Sequence, residues 1–301
     1  MSGTVVAIGV FDGVHRGHHA LVNEARLRAQ VLGASVVAVT FDPHPAAVLA
    51  PERSPLLLTT LAQRIELLHE AGCDSVQVQE FTSQFAHKSP EQFVDEVLVP
   101  LEPKVIIVGE NFRFGYRASG DVRTLADLGE TRGFEVQVAA LRTEELMVVS
   151  STRIRSLVVA GQVGQAADLL GRPHRLDGTV VHGDKRGREI GYPTANLQWA
   201  AEYAVPEDGV YAGRLILRPG IDEQVFSAAV SVGTNPHFGG VTRRVETYVM
   251  DAPEDFDIYG ESVGVEFIER IRGQVALESL EELLTLMAAD VAYARQALAE
   301  R

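Results

Sequence analysis

The chain has 301 residues, 46% of them hydrophobic, and carries 41 acidic against 27 basic side chains, a formal net charge of −14. That length allows two ordinary domains with real cores, and that charge excludes a general binder of nucleic acid or anionic membrane while leaving room for a basic pocket inside an acidic whole. One cysteine, Cys73, excludes an internal disulfide framework, no stretch approaches the roughly 18 apolar residues of a membrane span, and no charged-then-apolar leader precedes the first strand, so a soluble, cytoplasmic protein is expected.

Val5 to Val10 reads as a buried strand that runs into Gly9-Val10-Phe11-Asp12-Gly13-Val14-His15-Arg16-Gly17-His18. A helical pattern follows from His18 to Leu32, with Ala20, Leu21, Ala25 and Leu32 facing inward. A glycine-rich turn feeding a helix N-terminus presents unpaired backbone N–H groups and the positive end of the helix dipole, which suits phosphate. Ser35 to Phe41 is a second buried run, closed by Asp42-Pro43-His44-Pro45, whose two prolines forbid further strand. The pattern predicts a helix over Thr59 to Ala71, with Thr59 or Thr60 as N-cap and Gly72 as its stop. Cys73 just beyond reads as a small buried hydrophobe rather than a nucleophile. Ser75 to Gln79 is a strand, and Ser89 caps a helix with Pro90 at its first position and Gln92 completing a capping box.

Val105-Ile106-Ile107-Val108 is wholly apolar, as a central parallel strand should be, and ends in Gly109-Glu110-Asn111-Phe112-Arg113-Phe114-Gly115. Helix over Asp121 to Glu130, strand over Phe134 to Ala140 and helix from Ser151 complete the alternation. Such alternation implies a parallel sheet with helices on both faces, a Rossmann-like α/β domain, and ligands bind such sheets beyond the carboxyl ends of the strands. The loops at 9–18, 41–45 and 109–115 all follow strands and are expected on one rim.

The pattern changes at Gly171-Arg172-Pro173. Short β-type runs follow at Gly178 to Val181, Gly209 to Leu217, Phe226 to Val232, Val245 to Met250 and Val263 to Phe267, with no helices between them. These predict a small antiparallel β-barrel. A final helix over Leu280 to Ala299, with Leu283, Leu284, Met287, Val291 and Ala294 on one face, is expected to pack on it.

His15-Arg16-Gly17-His18 fits the HxGH pattern of nucleotidylyltransferases. Attack on the α-phosphorus of ATP builds negative charge on phosphate oxygens; histidines at a helix N-terminus can donate to it, and Gly17 allows close backbone approach. Val149-Ser150-Ser151-Thr152-Arg153-Ile154-Arg155 resembles the ISSTxxR element of the same superfamily, where hydroxyls and an arginine clamp a triphosphate. Taken singly, the first could be two surface histidines near a cap and the second an ordinary Ser/Thr N-cap; their joint occurrence, in this order, favours the nucleotide site. No Walker A, zinc or GxGxxG pattern occurs.

Together with Phe41-Asp42-Pro43-His44-Pro45 and the 109–115 loop, the opening stretch resembles the FMN adenylyltransferase module of prokaryotic FAD synthetases. In that family it precedes a riboflavin kinase barrel, and the second half is similar to one: Gly191-Tyr192-Pro193-Thr194-Ala195-Asn196-Leu197 resembles the flavokinase PTAN signature, with Gly183-Asp184-Lys185-Arg186-Gly187-Arg188 before it and Val245-Glu246-Thr247-Tyr248 after it. The resemblance implies an adenylyltransferase domain over 1–172 and a kinase domain over 173–301. It implies His15 and His18 as catalytic, and Gly9, Phe11, Gly17, Ser151, Thr152 and Arg155 on ATP. It places His44 and Asn111 on the flavin side of that site. His44 could instead cap its loop, and Asn111 could be a turn residue held by the backbone.

In the second domain Thr194 and Asn196 alternate along a strand, so both can face a metal-bound triphosphate. With Gly183, Lys185 and Gly187 they form the implied ATP and Mg²⁺ site, the metal resting on Thr194 and Asn196. Glu246 is the implied general base, although pairing with Arg243 or Arg244 is the commoner fate of a strand glutamate. Riboflavin, FMN, ATP and FAD are the expected substrates and products. Where the family commonly has Thr after Asn235-Pro236 this chain has His237, so an enzyme with only its adenylylation intact is an alternative. A carrier with neither activity would not need two phosphate clamps. No nucleic-acid or membrane partner is expected, and a homo-oligomer is compatible with the sequence.

Overall fold

The computed structural model describes residues 3–139, 143–144, 147–183, 190–234, 243–253, 256–275 and 279–299. Two compact units emerge: Met1–Pro55 with Thr60–Ser151, and Leu56–Thr59 with Thr152–Arg301.

The first unit alternates strand and helix: β1 (Thr4–Ile8), α1 (Arg16–Leu32), β2 (Ser35–Asp42), α2 (Pro45–Leu49), α3 (Leu61–Glu70), β3 (Ser75–Glu80), α4 (Pro90–Phe93), β4 (Pro103–Gly109), α5 (Val122–Arg132) and β5 (Glu135–Ala139). The five strands form one sheet in the order β3-β2-β1-β4-β5, every pairing parallel. Side chains of period two serve the two faces separately. Val5, Ala7, Val36, Ala38, Val105 and Ile107 meet Leu21, Val22, Ala25 and Ala29 of α1 and Leu67 and Leu68 of α3. Val6, Ile8, Val37, Val39, Ile106 and Val108 meet Phe85, Phe93, Leu98 and Leu125 on the other side. Strand order reverses between β1 and β4, and the crevice beyond such a switch point is where doubly wound sheets hold ligands.

Local signals hold where the chain supplies its own partners. Thr60 caps α3 and Ser89 caps α4, each in a capping box with Gln63 and Gln92. Asp121 caps α5 through Thr124 N–H. Gly72, at φ +104°, ends the α3 segment, and burial, reinforced by Asp74, pushes the Cys73 thiol up to about 12. At neutral pH the group is a protonated, buried thiol, so iodoacetamide is expected to label it slowly in the native protein and rapidly in denaturant, checked by mass spectrometry. A two-stranded ribbon, β6 (Thr143–Glu144) with β7 (Met147–Val148), was not expected from the sequence.

The second unit holds α6 (Ser151–Val159) from its second residue on, α7 (Val163–Leu170), the strands β8 (His174–Val181), β9 (Thr194–Gln198), β10 (Gly209–Leu217), β11 (Gln224–Gly233), β12 (Arg244–Val249) and β13 (Ser262–Gly273), and α8 (Leu280–Ala299). The six strands close into an antiparallel barrel in the order β10-β11-β12-β9-β8-β13. Leu176, Val180, Leu197, Tyr211, Leu215, Val230, Val245 and Phe267 fill its interior, with Val163 of α7. Leu57 from the first half of the sequence belongs to this unit: its N–H donates to Glu202 O at 2.7 Å and its carbonyl accepts from Ala204 N at 2.8 Å.

α8 packs on the barrel; of the expected face Val291 and Ala294 make the contact, joined by Ala297 and Leu298, against Ala212, Ala229 and Met250, and Leu283, Leu284 and Met287 are not part of that cluster. Asp290 on that same face is only 6% exposed and takes a two-pronged ion pair from Arg272, Nε to Oδ1 at 2.9 Å and Nη2 to Oδ2 at 2.6 Å. Near-burial of both carboxylate oxygens against one planar guanidinium fixes the rotation of the helix as well as its contact.

Candidate active sites

At the carboxyl end of β1 the backbone turns through two non-glycine residues of positive φ, Phe11 at +53° and Val14 at +36°, with Gly13 at +83° between them. A β-branched residue in that region is strained by about 1–3 kcal/mol, which the surrounding structure must impose. Phe11 and Val14 are buried, and Gly9 has room for no side chain without pressing on the Phe11 ring, 3.2 Å from where its Cβ would lie.

The turn delivers His15 to the N-cap of α1 and His18 to its third position. Each ring holds the other residue's backbone: His18 N–H donates to His15 Nδ1 at 3.4 Å, and His15 N–H to His18 Nδ1 at 3.3 Å. The two imidazoles stack at 3.7 Å between centroids and 14° between planes, with the Phe11 ring edge-on to His18 at 5.1 Å. A neutral imidazole that accepts at Nδ1 carries its proton on Nε2, so the reciprocal cap sets both histidines as Nε2 donors. Gly17 permits the stack, since a Cβ there would stand 3.1 Å from the His15 ring. The first turn of α1 contains no carboxylate to oppose the dipole.

Ser151, the first residue of α6, donates from Oγ to Asp12 O at 2.8 Å, which ties the start of that helix to the histidine turn. Thus Gly9, Phe11, His15, Gly17, His18 and Ser151 come together. The division between the compact units falls immediately after Ser151, so Thr152, exposed, and Arg155, half-buried, count with the second unit. His44 caps α2, its Nδ1 accepting Ala46 N–H at 3.1 Å, after the cis Asp42–Pro43 bond. Of the two roles the sequence left open for it, capping is therefore present. Asn111, exposed after β4, lies over Gly109, whose Cβ would meet its Oδ1 at 3.2 Å. Behind it Phe112 and Phe114 stack at 5.4 Å, Phe114 buried and Phe112 partly so.

The barrel places its candidates on the outside. Along β12, Val245, Thr247 and Val249 are buried while Arg244, Glu246 and Tyr248 alternate onto the outer face. Asn196 stands opposite Glu246 in register and Thr194 opposite Tyr248, so Thr194, Asn196 and Glu246 share that face on two adjacent strands. Arg244 Nη1 stands 3.9 Å from Glu246 Oε1, whereas Arg243 Nε binds Asp208 Oδ1 at 2.7 Å and leaves Glu246 aside. Gly183 lies against Asn196: a Cβ there would fall 2.3 Å from the amide nitrogen. Lys185, Gly187 and His237 lie outside the described residues.

Sequence reasoning passed over the aromatic side of this face. Tyr192 meets Tyr248 edge-on at 5.1 Å, and a cavity of about 560 Å³ opens between Tyr192 and Ala288, Val291, Ala292 and Arg295 of α8. The period-two spacing of Tyr248 from Glu246 is the signal that could have found it.

The FAD synthetase family profile matches residues 1–153 and the riboflavin kinase profile residues 170–298. A bifunctional riboflavin kinase/FMN adenylyltransferase of Listeria monocytogenes is 35% identical over 288 residues, 95% of this chain and 90% of that protein. The chain belongs to the bifunctional riboflavin kinase/FMN adenylyltransferase family. An Escherichia coli (strain K12) member of this family is 34% identical over 295 residues, 98% of this chain and 92% of the relative. A crystal structure described as a macrolide-efflux protein from Streptococcus pneumoniae has the same fold across 98% of this chain and 94% of its own, with TM-score 0.86 and 34% identity. Efflux belongs to that description alone; no helix among the described residues here is long and apolar enough to cross a membrane. In this bifunctional chain the FMN adenylyltransferase domain is therefore the parallel-sheet half and the riboflavin kinase domain the barrel half, the order expected from the motifs.

Proposed function

We propose that the barrel phosphorylates riboflavin with ATP to give FMN and that the parallel-sheet domain then transfers AMP from a second ATP to FMN, the functional division lying at 172/173. The observation that carries this reading is that each unit holds its own set of phosphate-directed groups: the stacked His15–His18 pair at the N-terminus of α1, and Thr194, Asn196 and Glu246 on one barrel face.

In the first reaction the ribityl primary hydroxyl attacks the γ-phosphorus, its proton passes to Glu246, and the bond to ADP breaks. The register that sets Glu246 beside Asn196 supports this role, because the base must stand next to the phosphate clamp. Thr194 and Asn196 offer hard oxygen donors, and the described residues contain no cluster of three His, Cys, Asp or Glu fit for a metal. That donor set fits Mg²⁺, which takes few protein ligands and mostly substrate phosphates; when bound it would neutralise charge on the transferred phosphoryl group. Gly183, Lys185 and Gly187 are assigned to the phosphates. Substituting Gly183→Ala is expected to displace Asn196 and lower riboflavin phosphorylation by at least tenfold while FAD formation from added FMN is unchanged, as read by steady-state assays of both steps.

In the second reaction an FMN phosphate oxygen attacks the α-phosphorus and pyrophosphate leaves. The Nε2–H groups of His15 and His18 stabilise the developing charge, the α1 dipole adds to it, and no covalent intermediate is required. Gly9, Phe11 and Gly17 shape the turn. Ser151 belongs to the ATP clamp of this unit, Thr152 and Arg155 are assigned to ATP by their place in the sequence motif, and His44 and Asn111 are assigned to the flavin. The reading is tested by incubating the protein with riboflavin or FMN, ATP and Mg²⁺ and resolving the flavins chromatographically. FAD from riboflavin is expected; FAD from added FMN only would overturn the kinase half, and no FAD from FMN the adenylyl-transfer half. The cytoplasm is the proposed place of action.

A further inference from the structure

Among the described residues, Arg64 of α3 is the largest side chain buried without measurable exposure. Removing a guanidinium from water is costly and persists only where it is hydrogen-bonded to some end. Its Nη1 donates at 2.8 Å to the carbonyl of Phe41, the penultimate residue of β2, ahead of Asp42, Pro43 and His44, and lies 3.4 Å from Thr40 Oγ1. Thr40, likewise unexposed, passes the contact on: its Oγ1 donates to Val10 O at 2.9 Å, one residue before the strained Phe11. Arg64, through Thr40, thus links the end of β2 to the segment that follows β1, where the two loops toward the adenylyl-transfer site depart. Backbone bonds reinforce the same place, with Gly9 N–H donating to Val39 O at 3.1 Å.

We infer that Arg64 is a positioning residue for adenylyl transfer, holding the His15–His18 turn and the His44 loop in fixed relation across the β1/β2 edge. The inference rests on the adenylyl-transfer reading above. Neither end of this link touches the reacting atoms, so its effect is one of alignment: a displacement near 1 Å at a distant support can cost about a hundredfold in rate. Arg64→Met, similar in length and without charge, should therefore lower kcat for FAD formation from FMN by about 10–100-fold. Riboflavin phosphorylation by the same chain should be unchanged. Arg64→Lys, which keeps one donor for Phe41 O, should recover part of the loss.

The experiment measures kcat and KM for both reactions and Tm by circular dichroism in wild type, Arg64→Met, Arg64→Lys and Thr40→Val, all well below the lowest Tm. Thr40→Val cuts the link to Val10 while keeping the shape of the side chain, and serves if the methionine variant does not fold. A lowered kcat for FAD formation in the folded variant, with partial recovery in the lysine variant, supports the assignment. A lowered Tm with wild-type kcat, in Arg64→Met or in Thr40→Val where the former does not fold, overturns it. Failure of wild type itself to convert FMN to FAD would instead remove the adenylyl-transfer reading on which it rests.

Discussion

Replacing His18 with glutamine is expected to lower FAD formation from FMN by roughly 10²–10³-fold, the usual cost of one preorganised donor to a developing oxyanion. FMN formation from riboflavin should stay at the wild-type rate. Glutamine is chosen because His18 also holds the third position of α1 and closes a capping box with His15. At that position a glutamine side chain can still accept the His15 N–H, as Gln63 does for Thr60 and Gln92 for Ser89 in this same chain. The helix start is therefore preserved while the Nε2 donor and the stacked ring are lost. Alanine would remove both at once and confuse a lost cap, worth about 1 kcal/mol, with lost catalysis. The check is steady-state FAD synthesis alongside a thermal melt: wild-type activity in a folded His18→Gln protein would remove His18 from the reaction.

The second large effect falls on the other domain. Glu246→Gln keeps the size of the side chain and its place on the outer face of β12 but cannot take the proton of a primary alcohol. A loss of about 10²–10⁴-fold in riboflavin phosphorylation is expected, the range for a positioned general base. FAD formation from supplied FMN should persist. Loss of the Arg244 contact will not unfold the barrel, since that pair spans 3.9 Å with both side chains about a third exposed, and such pairs contribute little. A retained kinase rate in Glu246→Gln would return Glu246 to the role of a strand carboxylate paired with its neighbour.

Much of this architecture is legible in the sequence because the deciding interactions are local. Capping boxes at Thr60 and Ser89, the apolar run Val105 to Val108, and glycine stops all lie within a few residues of their partners. The period-two pattern already places Thr194 and Asn196 on one face. It cannot say that the face is the outer one, or that Glu246 stands opposite Asn196, because register is a property of paired strands. Asp290 illustrates the same limit: on a helix face otherwise apolar it reads as an exception, and only the pairing of β13 brings Arg272 to it. Arg64 reads as a polar position of an amphipathic helix, since its acceptors, Phe41 O and Thr40 Oγ1, belong to a strand end more than twenty residues away. The histidine pair was legible as a motif; the stacking and mutual capping that set its tautomers were not.

Two separate sites in one chain, each answering to its own residues, is the claim on which the rest depends. It is tested most directly by giving His18→Gln and Glu246→Gln proteins either riboflavin or FMN, with ATP and Mg²⁺, and separating the flavins. His18→Gln should accumulate FMN from riboflavin with little FAD, and Glu246→Gln should leave riboflavin unconverted yet turn FMN into FAD. Loss of both conversions in either folded variant would contradict it.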